Sequence, residues 1–271
     1  MVTIERRVAG LLHYRKMWFP GYEQALEITR SLGPTDVVRF FAAPGKLYAL
    51  PNMVKHRELQ TARIDLSAGP TRVLSGMKKK SCRYEIRRAE KMLDLVEIEI
   101  NSARAHRDFL QIYNGFAEIK GIPRLPSRWL REYSAHGETL VLYLKGKALC
   151  CHLLLCDPET RIVRLLHSGS LRLQTAEDAA ACGALNRYLH WHEMQRYHAK
   201  GFLTFDFGGI RHVDDNFSRF KLSFGGVVMP EHYYLFSGSQ WIARLGNLVY
   251  EKILRHRAIK ANGDSGPITD E

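Results

Sequence analysis

The sequence predicts a mixed α/β fold, in which helices pack on a sheet of both parallel and antiparallel strands. Apolar runs typical of strands recur along the 271 residues, and stretches with the 3.6-residue period of helices separate them. Several strands follow one another as hairpins. One continuous apolar run instead comes directly after a helix, which is typical of a central parallel strand. The sequence has no visible internal repeat, which disfavours a solenoid or a propeller.

The first third of the chain is predicted to contain short strands, which come before the first helix. These strands are residues 36–43, 46–50 and 61–66, the first two joined as a hairpin through Pro44-Gly45. From Thr71 to Leu93 the pattern becomes helical. The apolar residues of this helix form a single stripe that should face a sheet: Cys82, Ile86, Ala89 and Leu93.

The rest of the chain is predicted to alternate strands and helices. The strands are residues 96–100, 139–144, 148–156, 161–168, 202–207 and 227–236. The first of these helices is 103–120, which is capped by Ser102 and ends at Gly121. The second runs from its cap, Thr175, to Ala199 and ends at Gly201. A short helix that bears Lys221 is capped by Asp214 or Asp215, and the last helix is 241–256. Residues 258–271 are small, polar and acidic, and we expect a disordered tail there.

The chain is basic. It has 40 Lys and Arg against 28 Asp and Glu, a formal net charge of +12 and a pI of about 9.6. This charge favours polyanionic partners such as RNA, nucleotides or phospholipid headgroups, and a basic solvated surface is the plain alternative. Residues 71–91 carry an excess of six positive charges, half of the total. Within them Lys79, Arg83 and Arg87 predict a basic ridge, which is either a track for phosphates or a solvated face.

The cysteines and the N-terminus indicate a cytoplasmic protein. The five cysteines form an odd set without a CxxC pair, so we interpret them as reduced thiols. The N-terminus has charged residues where a signal peptide needs an apolar stretch, and no segment reaches the ~18 apolar residues of a membrane span. Any contact with a membrane is expected to be peripheral. The cysteines are Cys82, Cys150, Cys151, Cys156 and Cys182.

Two motifs near the C-terminus predict a site for an anionic substrate. Asp206 follows an apolar run and precedes Gly208 and Gly209, whose backbone could approach a ligand closely. Lys221 comes directly after Phe220, and a desolvated lysine interacts more strongly with a phosphate or a developing oxyanion. A tight turn and a surface lysine with its stem on aromatic neighbours are the plain alternatives.

The twelve histidines do not predict a metal site. His190 and His192 are two residues apart, which places them on different faces of a helix, and no HxxxH motif with a third ligand is present. His152 and His167 are expected to be satisfied core histidines. The sequence also lacks GxSxG, GxxxxGK[ST] and GxGxxG, which argues against serine hydrolases, P-loop enzymes and dinucleotide binders. No bound cofactor is therefore expected.

These residues resemble the signature of FemABX-type transferases, which belong to the GNAT-like superfamily. The resemblance lies in residues 205–210 (Phe-Asp-Phe-Gly-Gly-Ile) and 220–226 (Phe-Lys-x-x-Phe-Gly-Gly), and residues 86–91 resemble the upstream basic helix of these enzymes. Typical members have two GNAT-like domains. The resemblance therefore implies a GNAT-like acyltransferase fold with a reduced N-terminal part, in which residues 1–70 form the reduced region, 71–257 the transferase domain and 258–271 the tail.

The resemblance also implies an activity. The chain would move an aminoacyl group from aminoacyl-tRNA, or an acyl group from a thioester, onto an amine of a peptidoglycan precursor or a related metabolite. Lys221 corresponds to the family lysine that stabilises charge at the reacting ester, and Phe220 to its apolar neighbour. Asp206 is a motif position that acts either as a base or as a scaffold. The positions expected to bind substrate are Lys79, Arg83, Arg87, Gly208, Gly209 and Phe224.

Two other functions stay open. The first is an acyl-CoA-dependent N-acyltransferase that acts on a sugar amine or a small metabolite. Residues 171–176 do not supply the glycine-rich turn that is usual in GNAT enzymes using acyl-CoA. The second is a non-catalytic module that binds RNA or an anionic membrane through residues 78–91, and it would leave Lys221 without a role. The sequence carries no signal for the oligomeric state.

Overall fold

The computed structural model describes residues 1–8, 11–43, 45–47, 50–173, 179–210, 215–239 and 241–242. Contacts divide the chain into two compact units. The larger unit contains residues 1–2 and 58–231, and the smaller one contains residues 3–57 and the described residues from 232 onward. The division into 1–70, 71–257 and 258–271 stays a prediction, and its last segment lies outside the described residues.

The described residues form ten strands and seven α-helices. The strands are β1 (Val2–Val8), β2 (Leu12–Trp18), β3 (Asp36–Ala43), β4 (Met53–Asp65), β5 (Val96–Ile100), β6 (Gly137–Leu144), β7 (Lys147–Asp157), β8 (Ile162–Ser170), β9 (Thr204–Ile210) and β10 (Val227–Ser237). The helices are α1 (Tyr22–Arg30), α2 (Pro70–Gly76), α3 (Tyr84–Glu90), α4 (Ala103–Ile119), α5 (Ser127–Ser134), α6 (Ala179–Ala199) and α7 (Asn216–Leu222). None of these helices has both the length and the hydropathy needed to cross a membrane.

The larger unit contains a mixed sheet with the strand order β4-β9-β8-β7-β6-β5. The strands from β8 to β5 are antiparallel, β9 is parallel to β8, and β4 is antiparallel to β9. This mixture confirms the predicted α/β class with a mixed sheet. The parallel pair is short: its register runs from Ile162–Thr204 to Arg164–Asp206, although both strands continue beyond it. The two strands therefore stop pairing near the middle of the sheet.

Local sequence signals account for several elements of this unit. The Oγ of Ser102 accepts a hydrogen bond from the amide of Ala105, so it caps α4 as predicted. Gly121 follows the end of that helix with a φ of 60°. Lys145 and Gly146 have φ angles of 51° and 78°, and such a pair of left-handed residues makes a tight hairpin turn between β6 and β7. The predicted hairpin is confirmed.

The predicted single helix from Thr71 to Leu93 is wrong. The chain forms α2, an extended residue at Met77, a π-helical turn over Lys79–Arg83 and then α3. The break occurs because the amide of Lys78 donates to the carbonyl of Ser223, at the end of α7, instead of continuing a helix. The apolar stripe is buried at Cys82, Ile86 and Ala89, but α3 packs against α6 rather than directly on the sheet.

The smaller unit differs from its prediction. Its strand order is β1-β2-β3-β10, with β2 parallel and β10 antiparallel to β3. The strand β3 has the predicted bounds, but residues 46, 47 and 50 are not in a strand, so the predicted hairpin is wrong. The amide of Leu47 instead donates to the hydroxyl of Tyr234, at 2.7 Å. The elements β1, β2 and α1 were not predicted, and β4 begins eight residues before its predicted start at residue 61.

Some expectations lie outside the described residues. These are the turn residue Pro44, the helix cap Thr175, the alternative cap Asp214, the final helix beyond residue 242 and the tail.

Candidate active site

Asp206 lies inside β9, not at the end of the strand as predicted, and it is fully buried. Its Oδ1 accepts hydrogen bonds from the hydroxyl of Thr61 and the amide of Gly208, and its Oδ2 accepts from Arg63 Nε at 3.2 Å and Arg164 Nη1 at 2.9 Å. Burial alone would raise the pKa of Asp206, but the charges of Arg164 and Arg63 outweigh it and lower the pKa. Both carboxylate oxygens are thus engaged by donors.

Arg164, on β8, joins Asp206 to a second buried carboxylate, Glu231. Its Nη1 lies 2.6 Å from one Glu231 oxygen, and its Nη2 lies 3.0 Å from the other. Two carboxylates and the guanidinium groups of Arg63 and Arg164 therefore balance in charge within this network. The two arginines thus already neutralise both carboxylates of this network.

Lys221 is a further cation near this network. It lies on α7, whose N-terminus is capped by Asp215, because the Asp215 carboxylate accepts from the amide of Ser218. Only 5% of the residue is exposed. Its Nζ donates to the carbonyls of Gly208, at 3.2 Å, and of Gly209, at 2.7 Å. Burial, with a smaller contribution from the charge of Arg164, lowers the pKa of Lys221 to about 8.

The glycine pair lies within β9 and does not form the tight turn that was the plain alternative. Gly208 has a φ of +72°, and an added Cβ would lie 3.3 Å from the carbonyl oxygen of Leu165. Gly209 has nothing within 4 Å of such a Cβ. Gly208 is therefore required by backbone conformation and by close packing on β8, whereas Gly209 is not, and the carbonyls of both residues accept from Lys221.

Aromatic residues pack around the base of α7. Phe224 is fully buried, and its ring lies 5.3 Å from that of Phe220 and 5.0 Å from that of Phe207. The guanidinium of Arg187, on α6, lies 4.9 Å from the Phe220 ring centroid. This cluster keeps water away from the buried side of the helix that carries Lys221. A further ring, Phe217, lies over the lysine Nζ on the same helix, at 4.5 Å.

A buried polar group borders the aromatic cluster. His152 on β7 and His190 and Glu193 on α6 are all fully buried, and the two imidazole rings stack at 4.0 Å. His152 Nδ1 lies 2.7 Å from Glu193 Oε1, and its Nε2 lies 3.0 Å from Asn186 Oδ1. Both ring nitrogens of His152 therefore have a hydrogen-bond partner inside the protein.

The second histidine of this group is held neutral. Burial and the charge of His152 lower the pKa of His190 to about 4. Burial would raise the pKa of Glu193, but the adjacent His152 lowers it to about 2. The three ligand-type atoms lie within 4.8 Å of one another. The His152–Glu193 distance, however, is that of a hydrogen bond, since two ligands of one tetrahedral zinc ion lie about 3.3 Å apart. That the chain holds no metal stays a prediction.

The basic residues predicted to bind substrate do not form one straight ridge. Lys79 and Arg83 lie in the π-helical turn, whereas Arg87 lies in α3. Arg83 and Arg87 line a groove of about 170 Å³ together with Thr71, Leu74, Ser75, Ile86 and Glu90. The Nε atom of Arg83 is buried, and no acceptor among the described residues bonds to it. Through the Lys78–Ser223 hydrogen bond, this basic segment lies beside the end of α7.

The structure therefore brings together most of the predicted positions. Asp206, Gly208, Gly209, Phe220, Lys221 and Phe224 share one region, and the backbone at Lys78 joins the basic segment to it. The sequence analysis missed the partners on other strands and on α6. For Arg164 and Glu231, the available signal was a charged residue inside a largely apolar predicted strand. The missed residues are Arg63, Arg164, Arg187, Glu193 and Glu231.

Residues 77–221, more than half of the chain and the part that contains this site, match the acetyltransferase (GNAT) domain family. The chain belongs to the GNAT family. It is accordingly an acyltransferase, as predicted. Among curated proteins, none matches the chain in sequence.

Several solved structures share the fold of this chain. FemX superimposes with a TM-score of 0.62 at 11% identity, over 90% of this chain and 85% of FemX. L-PGS from Bacillus licheniformis superimposes with a TM-score of 0.53 at 12% identity, over 89% of this chain and 82% of that one. The C-terminal domain (DUF2156) of a lysylphosphatidylglycerol synthetase from Agrobacterium fabrum superimposes with a TM-score of 0.55 at 15% identity, over 90% of this chain and 83% of that one. These similarities confirm the predicted GNAT-like fold.

Proposed function

We propose that this GNAT-type acyltransferase forms an amide, by moving an aminoacyl group from aminoacyl-tRNA, or an acyl group from a thioester, onto an amine. The observation that carries the proposal is the position of Lys221. Its Nζ is buried and is held by the carbonyls of Gly208 and Gly209. These two residues lie two and three positions after Asp206, the last residue of β9 that is paired with β8. Ligands of open α/β sheets commonly bind where neighbouring strands diverge.

The chemistry requires little beyond positioning and one charge. The neutral amine attacks the ester carbonyl, a C–N bond forms, and the carbonyl oxygen becomes an oxyanion. The Lys221 ammonium stabilises this oxyanion, and the effect is stronger in a buried site than in water. The C–O bond of the ester, or the C–S bond of the thioester, then breaks. The proton released by the amine passes to the leaving oxygen or sulfur.

The other site residues support this step. Asp206 acts as a positioning residue rather than a base, because all of its acceptor positions are used by donors within the protein. Phe220 and Phe224 exclude water from the inner side of α7. Lys79, Arg83 and Arg87 bind phosphates of the donor. The buried Nε of Arg83, which no described acceptor satisfies, supports that role.

The acceptor and the setting belong to the same proposal. An amine of a peptidoglycan precursor or a related metabolite is the acceptor, and the C-terminal sequence motifs support it. The donor is a substrate and not a bound cofactor. The five cysteines, all in the described part of the chain, form no disulfide, which supports a cytoplasmic location, and peripheral contact with a membrane belongs to the same proposal.

A second candidate is an acyl-CoA-dependent N-acyltransferase acting on a sugar amine or a small metabolite. The matched family supports it, since its description is that of an acetyltransferase domain.

The test compares the two donors directly. Purified protein is incubated with a pool of amines and either aminoacylated tRNA or acetyl-CoA, and new amides are measured by mass spectrometry. We expect Lys221→Met to lower the rate about 100- to 1000-fold, the usual effect of removing one oxyanion donor. Lys120→Met, at an exposed lysine, is the matched control. Unchanged turnover in Lys221→Met would show that the lysine has no catalytic role, and transfer only from acetyl-CoA would favour the second candidate.

A further inference from the structure

Phe217 is an exposed aromatic residue beside the buried lysine of the candidate site. It lies one helical turn before Lys221 on α7, and residues four apart share a helix face. Its ring centroid lies 4.5 Å from Lys221 Nζ. Phe217 is 60% exposed, whereas the nearby Phe224 is fully buried. Phe217 therefore lies at this site without being part of the packed aromatic cluster.

The ring separates the lysine from solvent. Two hydrogens of the Lys221 ammonium point to the carbonyls of Gly208 and Gly209, on the β9 side. The face of Phe217 lies against the same ammonium, because the negative face of an aromatic ring attracts a cation. Since the lysine is 5% exposed and the ring 60%, the ring is the outer member of the pair. Phe217 therefore lies on the solvent side of Lys221.

The two candidate donors differ in what they place beside the reacting carbonyl. In aminoacyl-tRNA the ester is on the ribose of the terminal adenosine, so a flat base lies next to the reacting atoms. In an acyl-CoA the adenine is separated from the thioester by the long pantetheine arm, and the neighbouring atoms form a saturated chain. An exposed ring beside the reacting lysine suits the flat base, because aromatic side chains stack on nucleobases.

We propose that Phe217 is the stacking platform for the terminal adenine of an aminoacyl-tRNA donor, and that it orients the ester toward Lys221. This inference rests on the proposed function and specifies its donor. The base stacks on the outer face of the ring, while the inner face stays on the lysine. Phe217 is a positioning residue, since it holds the donor and takes no part in proton transfer.

The test uses a stable analogue of the donor end, 3′-amino-3′-deoxyadenosine carrying an amino acid through an amide bond. Its affinity for the full chain is measured by calorimetry. Stacking of one base contributes an amount that corresponds to about 5- to 150-fold in affinity. We expect Phe217→Leu to weaken binding within that range and Phe217→Trp to retain it. Tyr22→Leu, at another helical aromatic residue that is 48% exposed, is the matched control and should change nothing.

A second ligand distinguishes stacking from a general effect on the site. An otherwise identical analogue without the base should bind wild type and Phe217→Leu equally. Equal affinity of both proteins for the adenine analogue would overturn the platform, while the transfer assay with Lys221→Met still judges the proposed function. Absence of binding to wild type would overturn the platform and the tRNA donor together. An equal loss of affinity for acetyl-CoA in Phe217→Leu would also overturn the proposal.

Discussion

Replacing Asp206 by Asn tests whether this residue is a scaffold or a base. The substitution keeps the shape of the side chain and removes its charge. Arg63 and Arg164 then lose the carboxylate oxygen that they share. In addition, the amide nitrogen of the new Asn would face hydrogen-bond donors in either orientation of the side chain, since Thr61 and Gly208 donate to one oxygen of Asp206 and the two arginines donate to the other.

The loss of stability expected for Asp206→Asn follows from the complete burial of Asp206. Removing one partner of a buried ion pair costs about 3–5 kcal/mol, because the charge that remains is uncompensated. We expect the lower end, about 3 kcal/mol, since Arg164 retains its two bonds to Glu231. The lowered pKa of Asp206 gives the pH dependence. The Asp206 carboxylate stabilises the folded protein above the pKa of about 4 that it has in the unfolded chain, and this stabilisation is lost as the pH falls through the lower pKa of the folded protein. The difference in free energy of unfolding between wild type and Asp206→Asn should therefore become smaller in acid.

Urea unfolding at pH 7 measures the loss of stability, and repeating it well below pH 4, where the folded carboxylate also takes up its proton, checks the sign. Asp65→Asn, at an exposed aspartate on the neighbouring strand β4, is the matched control and should have a much smaller effect. A decrease of less than about 1 kcal/mol in the free energy of unfolding of Asp206→Asn would refute the scaffold role, since removing one partner of a buried ion pair destabilises a protein by more than that. A stable variant without transfer activity would instead point to a base.

Three further predictions concern the same region. Gly208→Ala should destabilise the protein by about 1–3 kcal/mol in thermal unfolding because of its positive φ, whereas Gly209→Ala should be nearly neutral, and equal effects would contradict the geometry. Glu193→Gln should lower the free energy of unfolding in urea by about 1–3 kcal/mol, since its amide nitrogen cannot accept the buried hydrogen bonds that the two carboxylate oxygens share with His152 and His190, and a neutral result would contradict these contacts. Between about pH 8 and 10.5, the free energy of unfolding of wild type should rise by up to about 3 kcal/mol relative to that of Lys221→Met, because Lys221 binds more protons in the unfolded chain than in the folded one in this range. Parallel curves of stability against pH for the two proteins would contradict the lowered pKa of Lys221.

The elements that the sequence predicts well are those determined by neighbouring residues. The cap at Ser102, the strand β5 and the hairpin at Lys145-Gly146 depend on side chains and φ angles within a few positions of each other. Here the local patterns were sufficient, because the tertiary structure adds packing without changing the backbone.

The wrong predictions trace to hydrogen bonds between distant residues. Residues 46–50 follow β3 after a tight turn and invite a hairpin, but the amide of Leu47 binds the side chain of Tyr234, 187 positions later. The helical pattern from Thr71 to Leu93 is interrupted because Lys78 binds Ser223. A periodic sequence pattern contains no information about such partners.

The candidate site shows the same division. Sequence motifs identified Asp206, Gly208 and Lys221, since they lie close together along the chain. Arg164 and Glu231 complete the charge balance around them, but they are 42 positions before Asp206 and 67 positions after Arg164, respectively. Only the register of β8 and β9 brings the first of them into contact with the motif.

The π-helical turn at Lys79–Arg83 lets the basic segment differ in length without turning its side chains. Such a turn holds one residue more than an α-helical turn but advances through nearly the same angle about the helix axis. Deleting one residue there would let a regular α-helical turn form, and would leave the basic residues on either side of the deletion nearly in phase. Relatives of this chain with one residue fewer in this turn would then present the same charges in nearly the same direction. The turn is therefore a place where chain length can change while the direction of the basic residues is kept.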